Sequence, residues 1–197
     1  MRLLDPLRFP IGSPHVKKHL SDSERSKLID QIESAPALLR QAVAGLTDSQ
    51  LDTPYRSNGW TVRQVVHHIP DSHLNAYIRF RWALTEDFPK IKAYNQDAWA
   101  HLADACYGPV EESLALLDAL HPRWCRLMRA MSKRDWLSKV MHPEDGLRTC
   151  EDFLIIYAWH GRHHIAHIPS SPFHSALEVR NFPIPVFGRF FFGDMDY

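Results

Sequence analysis

Apolar residues recur every three to four positions in four long segments of the chain, a spacing that predicts amphipathic α-helices. The four predicted helices cover residues 22–46, 61–83, 110–131 and 149–168. Each segment has an apolar stripe and a polar face, so the helices most simply bury their stripes against one another. The sequence therefore predicts an all-α fold, a four-helix bundle.

Proline residues mark the boundaries of this predicted domain. The first 20 residues contain three prolines and are predicted to form an extended N-terminal arm, residues 1–20. The helical domain covers residues 21–168, and Pro70 lies inside its second helix, where it should cause a kink. From Pro169 onward four prolines and six phenylalanines predict an irregular aromatic C-terminal tail, residues 169–197, of unknown structure.

Charge and composition exclude several functional classes. The 197 residues carry 23 Lys and Arg against 23 Asp and Glu, so there is no basic field for nucleic acid. No apolar run approaches the length of about 18 residues that a membrane span needs, and the N-terminus lacks the apolar core of a signal peptide. The three cysteines form no CxxC pair. We therefore expect a cytoplasmic protein without disulfides, nucleic acid or membrane as partners.

Histidine is the unusual component, with 13 residues in the chain. Along the fourth helix the apolar face continues into imidazoles in the segment WHGRHHIAH, which contains two pairs with i, i+4 spacing: His160 with His164, and His163 with His167. Side chains four residues apart on a helix project side by side, so either pair could share one metal ion at about 2.0–2.1 Å. The alternative is that these histidines are ordinary core residues with hydrogen-bond partners.

A third ligand can come from the second helix, where His67, His68 and His73 cluster. Adjacent helical residues point about 100° apart, so at most one of His67 and His68 can join a given site. His68 is preferred because it begins a polar stripe that continues to Asn75 and Arg79. The alternative is that both are boundary residues that bond the backbone or their neighbours.

Three neutral histidines would leave a tetrahedral metal ion with one open position, as in catalytic zinc sites. Two catalytic groups are compatible with such a site, a metal-bound water and a thiolate, and the sequence does not distinguish them. No HExxH motif is present, so the glutamate base of that protease class is missing. Cys106 and Cys150 could suggest a Cys-His nucleophile, but a buried structural thiol is the expected role of each.

Three stretches of the chain resemble the YfiT-type metal-dependent hydrolases of the DinB-like superfamily. They are LTDSQLDTPYR at 46–56, GWTVRQVVHHIPDSHLNAYIRF at 59–80 and YAWHGRHHIAHI at 157–168. The resemblance extends from about Phe9 to Ile168, and it implies a cytoplasmic, homodimeric four-helix bundle that binds Zn²⁺ or Ni²⁺, one per subunit, through three histidines. The ligand positions of the family fall on His68, His160 and His164.

The same resemblance leaves the reaction open. The first hypothesis is a hydrolase in which the metal activates water for attack on a small electrophilic substrate. The second is transfer of a low-molecular-weight thiol of the bacillithiol type at the same metal, and the third is a metal-binding bundle without turnover. Candidates for orienting the ligands or for holding a thiol cofactor are Asn75, Arg79, Arg162 and His163. Pro70 and the tail depart from the family pattern, and Pro70 could displace His68.

Overall fold

The computed structural model describes residues 7–14, 17 and 19–168. Seven α-helices occur in these residues: α1 Asp22–Val43, α2 Asp48–Leu51, α3 Val62–Thr85, α4 Gln96–Ala100, α5 Ala103–Tyr107, α6 Val110–Arg129 and α7 Cys150–Ile165. A 3₁₀ turn at Asp135–Leu137 precedes two strands, β1 Lys139–His142 and β2 Gly146–Thr149. Apart from this hairpin and two isolated β-bridges, the regular secondary structure of the described residues is helical, and the predicted all-α class is confirmed.

The helix starts follow the capping signals in the sequence. Ser21, Thr61 and Thr149 each accept a hydrogen bond from the backbone N–H three residues later, and each is part of a complete capping box. Two helices end earlier than predicted: α1 ends at Val43 and α7 ends at Ile165. The predicted C-terminal tail lies outside the described residues.

The four long helices are connected in an uncommon order. α1 packs against α6 and α7, and α3 packs against the same two helices. Consecutive long helices α1 and α3 therefore occupy opposite corners of the bundle. This arrangement places α3 beside α7, although 64 residues separate the end of the first from the start of the second.

Two apolar clusters fill the two ends of the bundle. The Ile69 cluster includes Leu39, Val65, Ile69, Leu117 and Ile165, and the Phe80 cluster includes Ile32, Phe80, Trp124, Met128 and Leu154. α1 and α7 run from the Phe80 cluster to the Ile69 cluster, whereas α3 and α6 run in the opposite direction. Buried histidines occupy the level between the clusters on three of the four helices: His73 on α3, His121 on α6 and His160 on α7.

Pro70 does not end the helix that contains it. α3 is continuous from Val62 to Thr85, and both Pro70 and the neighbouring Ile69 are buried. The missing N–H of Pro70 removes one hydrogen bond of the helix, but the turns on either side continue. His68, two residues earlier, therefore keeps a regular helical position.

The N-terminal arm packs along α7. Ile11 is buried in the Ile69 cluster, and the backbone oxygens of Arg8 and Gly12 accept hydrogen bonds from His167 and Trp159. In the part of the chain that the structure describes, no helix has the length and apolar character needed to cross a membrane.

Candidate metal centre

Three histidines from two helices meet at the interface of α3 and α7. His68, His160 and His164 each present one ring nitrogen, and these nitrogens lie within 4.8 Å of one another. The shortest separation joins His68 Nε2 to His160 Nε2 at 3.2 Å. All three side chains are buried, with 2–5% of their surface exposed.

The helical repeat and the helix pairing together create this cluster. His160 and His164 are one turn apart on α7, with ring centroids 4.4 Å apart in an edge-to-face arrangement. His68 reaches both rings from α3, at centroid distances of 5.2 Å and 4.7 Å. The i, i+4 pair is therefore a local property of the sequence, whereas the third histidine depends on the bundle topology.

His67 faces a different part of the molecule. Its Nδ1 lies 2.7 Å from Ser113 Oγ and its Nε2 lies 3.2 Å from Gly108 O, so both ring nitrogens have partners on and before α6. The preference for His68 over its neighbour agrees with this placement.

Burial keeps the three clustered imidazoles neutral. Desolvation lowers the pKa of His68 to about 3 and lowers the pKa values of His160 and His164 well below the ordinary value, with repulsion between the neighbouring rings acting in the same direction. A neutral imidazole has a lone pair on one nitrogen, which is the form that binds a metal ion.

The dimensions of the cluster suit a tetrahedral metal ion. Ligands at 2.0–2.1 Å from a tetrahedral centre are about 3.3–3.4 Å apart, close to the 3.2 Å between the Nε2 atoms of His68 and His160. All three donors are imidazoles, a set that suits zinc and nickel better than magnesium or calcium.

A second trio of histidines shares one member with the first. His163, His164 and His167 also bring ring nitrogens within 4.8 Å of one another. In this trio His167 stacks on Tyr55 at 4.2 Å and lies 3.3 Å from the carbonyl oxygen of Arg8, and His163 stacks on Trp159 at 4.1 Å. These contacts pack His163 and His167 against neighbouring aromatic side chains, and His164 belongs to both trios.

One further histidine, His73, contacts a ring of the cluster, and a second, His121, contacts His73. His73 Nε2 lies 3.2 Å from His160 Nδ1, and His73 Nδ1 lies 3.0 Å from His121 Nε2. His73 belongs to the histidine cluster predicted on the second helix, whereas His121 was not among the predicted candidates. A signal was available, because His121 follows Leu117 by four residues and precedes Trp124 by three, which puts it on the buried stripe of α6.

The other polar candidates have hydrogen bonds away from the three ligand rings. Asn75 donates to Asp71 O at 2.9 Å, and Arg162 donates to Gln31 Oε1 at 3.3 Å. Arg79 donates to Lys92 O and, at 3.4 Å, to the Tyr157 hydroxyl. The Tyr157 ring lies 5.5 Å from that of His160, so Arg79 reaches the site only through this tyrosine.

The cysteines take no part in the histidine cluster. Burial raises the pKa values of Cys125 and Cys150 to about 12, so both remain protonated thiols. Cys106 lies near Ala100 O and Gln64 Nε2. These surroundings fit the structural role expected from the sequence.

A surface groove of about 670 Å³ lies far from the clustered histidines of α3 and α7. It is lined by the end of α3, the 3₁₀ turn and the hairpin, and it includes none of the clustered histidines. Ala83 in its wall is about 22 Å along the α3 axis from His68, at 1.5 Å per residue. The groove is therefore separate from the candidate metal centre.

Metal and cofactor sites in four-helix bundles are built from inward-facing side chains on neighbouring helices, and the histidines of α3 and α7 have this arrangement. The family model of the DinB superfamily matches residues 31–168, and the chain belongs to this superfamily. The resemblance identified from the sequence is thereby confirmed.

Curated relatives match over most of their length. A protein of Bacillus subtilis (strain 168) named "Putative metal-dependent hydrolase YfiT" is 47% identical over 163 residues, which cover 82% of this chain and 92% of the relative. A relative from Geobacillus kaustophilus (strain HTA426) that carries the same class name is 43% identical over 172 residues, covering 86% and 96% of the two chains.

A solved structure of the Bacillus subtilis YfiT protein has a similar fold. It superposes with a TM-score of 0.81 at 47% identity, over 83% of this chain and 94% of the other. That protein is described as a four-helix bundle of unusual topology. In the present chain, the consecutive long helices α1 and α3 occupy opposite corners of the bundle.

Proposed function

We propose that this protein is a metal-dependent hydrolase in which His68, His160 and His164 hold one divalent metal ion per subunit. The observation that carries the proposal is the convergence of three buried, neutral ring nitrogens within 4.8 Å. The names of the relatives support the same class of reaction.

Zinc and nickel are the metals we propose. The cluster consists of imidazoles alone, without a carboxylate or thiolate among its members, and imidazole is a good ligand for both ions. A divalent ion bound there supplies Lewis acidity, which polarises a substrate oxygen and lowers the pKa of a bound water to about 7.

The chain's own residues restrict what can reach the site. The Trp60 ring lies 4.8 Å from that of His68, the Tyr157 ring lies 5.5 Å from that of His160, and the three ligand side chains are almost completely buried. An aromatic boundary of this kind favours a small, weakly charged electrophile over a large polar one. We propose this class of small molecule as the substrate.

Thiol transfer at the same metal is the alternative hypothesis. A charged thiol cofactor needs cationic partners, and the arginines considered for that role, Arg79 and Arg162, already donate to groups of the protein. This observation favours hydrolysis. A homodimer in the cytoplasm, implied by the family resemblance, remains part of the proposal.

An activity assay can separate the three hypotheses. Untagged protein loaded with Zn²⁺ or Ni²⁺ is incubated with small esters, amides and other electrophiles, with and without a low-molecular-weight thiol. We expect turnover without thiol, and its loss in His160→Ala. The control His101→Ala removes a histidine from the exposed surface of the bundle and should retain full activity.

Two results would contradict hydrolysis. Product that forms only when the thiol is consumed would identify a thiol transferase. Fully metal-loaded protein without turnover on any substrate of the panel would favour a binding protein.

A further inference from the structure

A chain of hydrogen-bond contacts between imidazoles crosses the whole bundle. It runs from His160 on α7 to His73 on α3, then to His121 on α6, and ends at the backbone carbonyl of Ile32 on α1. The three separations are 3.2 Å from His160 Nδ1 to His73 Nε2, 3.0 Å from His73 Nδ1 to His121 Nε2, and 2.6 Å from His121 Nδ1 to Ile32 O. All four long helices contribute one member.

The carbonyl at the end of this chain determines the direction of every hydrogen bond in it. The oxygen of Ile32 can only accept, so the proton of neutral His121 is on Nδ1 and its Nε2 is an acceptor. His73 must then donate from Nδ1 and accept at Nε2. His160 in turn must donate from Nδ1, which leaves the lone pair of its Nε2 directed at the cluster with His68.

The direction of these hydrogen bonds requires neutral rings, and burial keeps the rings neutral. His73 and His121 have no exposed surface. Desolvation lowers the pKa of His121 to about 4 and that of His73 well below the ordinary value. A second proton on either ring would place two N–H groups against each other or add a buried charge.

Packing holds the rings of the chain in place. The rings of His73 and His121 are parallel with centroids 5.0 Å apart, and Trp124 and Tyr157 meet the His73 ring edge-on. Gly161 allows the close approach of α7, because a Cβ at this position would lie 3.3 Å from Cε1 of His73. His73 therefore has little room to turn away from His160.

We infer that His73 and His121 are positioning residues for His160. Their hydrogen bonds, whose direction is set by the Ile32 carbonyl, fix His160 in the tautomer that has its proton on Nδ1 and a free lone pair on Nε2. Neither residue belongs to the trio of proposed ligands. The consequence for metal affinity rests on the proposed function, whereas the tautomer is a property of the metal-free protein.

Two variants of His73 whose new side chains have similar lengths separate the effect of hydrogen bonding from that of packing. His73→Met removes the acceptor for His160 Nδ1, and we expect the dissociation constant for Zn²⁺, measured by competition with a chelator at pH 7.5, to rise about 10–100-fold. His73→Gln keeps an acceptor and a donor on a side chain of similar length and should recover most of the affinity. Equal affinity in wild type and His73→Met, or equal losses in the two variants, would overturn the inference.

A spectroscopic measurement tests the tautomer without metal. The ¹⁵N chemical shifts of the imidazole nitrogens in the metal-free wild type should show a proton on Nδ1, and none on Nε2, for His160, His73 and His121. A proton on Nε2 of His160 would overturn the inference even if the His73 variants failed to fold. Failure of the wild type to bind Zn²⁺ would instead contradict the proposed function, and the chemical shifts would still decide the tautomer.

Discussion

Removal of the metal is expected to lower the melting temperature of the protein by about 5–10 °C at pH 7.5. A ligand present at 100 times its dissociation constant stabilises the folded state by about 2.7 kcal/mol, and 1 kcal/mol corresponds to roughly 2–4 °C for a domain of this size. The effect is expected because one ion would tie α3 to α7 through His68 and the α7 pair. The measurement is thermal unfolding of Zn²⁺-loaded protein with and without a chelator.

His160→Ala is the control for this comparison. A variant with two of the three ligands should hold little metal in a chelating buffer, so the chelator should not change its melting temperature. His101→Ala should respond like the wild type, because this histidine lies on the surface at the end of α4. A chelator effect that persists in His160→Ala would mean that the stabilising ion binds elsewhere.

Acid is expected to unfold the metal-free protein cooperatively between about pH 6.5 and pH 5. The pKa of His68 is lowered to about 3 and that of His121 to about 4 by burial, and the pKa values of His73, His160 and His164 are also well below the ordinary one. The unfolded chain therefore binds more protons than the folded chain below about pH 6.5, and stability falls as the pH falls.

The size of this effect follows from the number of buried rings. Each histidine that stays neutral in the folded state and becomes charged in the unfolded state lowers the free energy of unfolding by about 1.4 kcal/mol for each pH unit of acidification. Against a total stability of about 5–15 kcal/mol, five such rings are enough to unfold the metal-free protein within one or two pH units. A bound metal should move the midpoint to lower pH, because it stabilises only the folded state.

The acid transition can be followed by far-UV circular dichroism in an acid titration. Urea unfolding at several pH values then gives the slope of the unfolding free energy against pH. A slope no greater than that of one histidine, about 1.4 kcal/mol per pH unit, would contradict the picture of several neutral buried rings.

Local sequence signals were sufficient for the four long helices and for two of the proposed ligands. The apolar stripes and the capping residues Ser21, Thr61 and Thr149 located the starts of α1, α3 and α7. The pair His160 and His164 is brought together by the helical repeat alone. These features depend on residues close together in the chain, which sequence patterns describe well.

Features that depend on long-range packing could not be predicted from such local patterns. The hairpin of β1 and β2 was not predicted, because its four-residue strands are too short to show a clear alternation. The partnership of His73 with His121 requires α3 and α6 to be neighbours at one level of the bundle. Periodicity showed that His68 could face the core, but only the opposite-corner topology puts α3 against α7.

Metal content, measured by mass spectrometry after purification without a histidine tag, tests the three-histidine site most directly. The two adjacent histidines of α3 form a matched pair, because His67 bonds Ser113 and Gly108 whereas His68 faces His160. We expect about one Zn²⁺ or Ni²⁺ per subunit in the wild type, in His67→Ala and in His163→Ala, and almost none in His68→Ala. Full metal content in His68→Ala together with loss in His67→Ala or His163→Ala would contradict the assignment of the site to His68, His160 and His164.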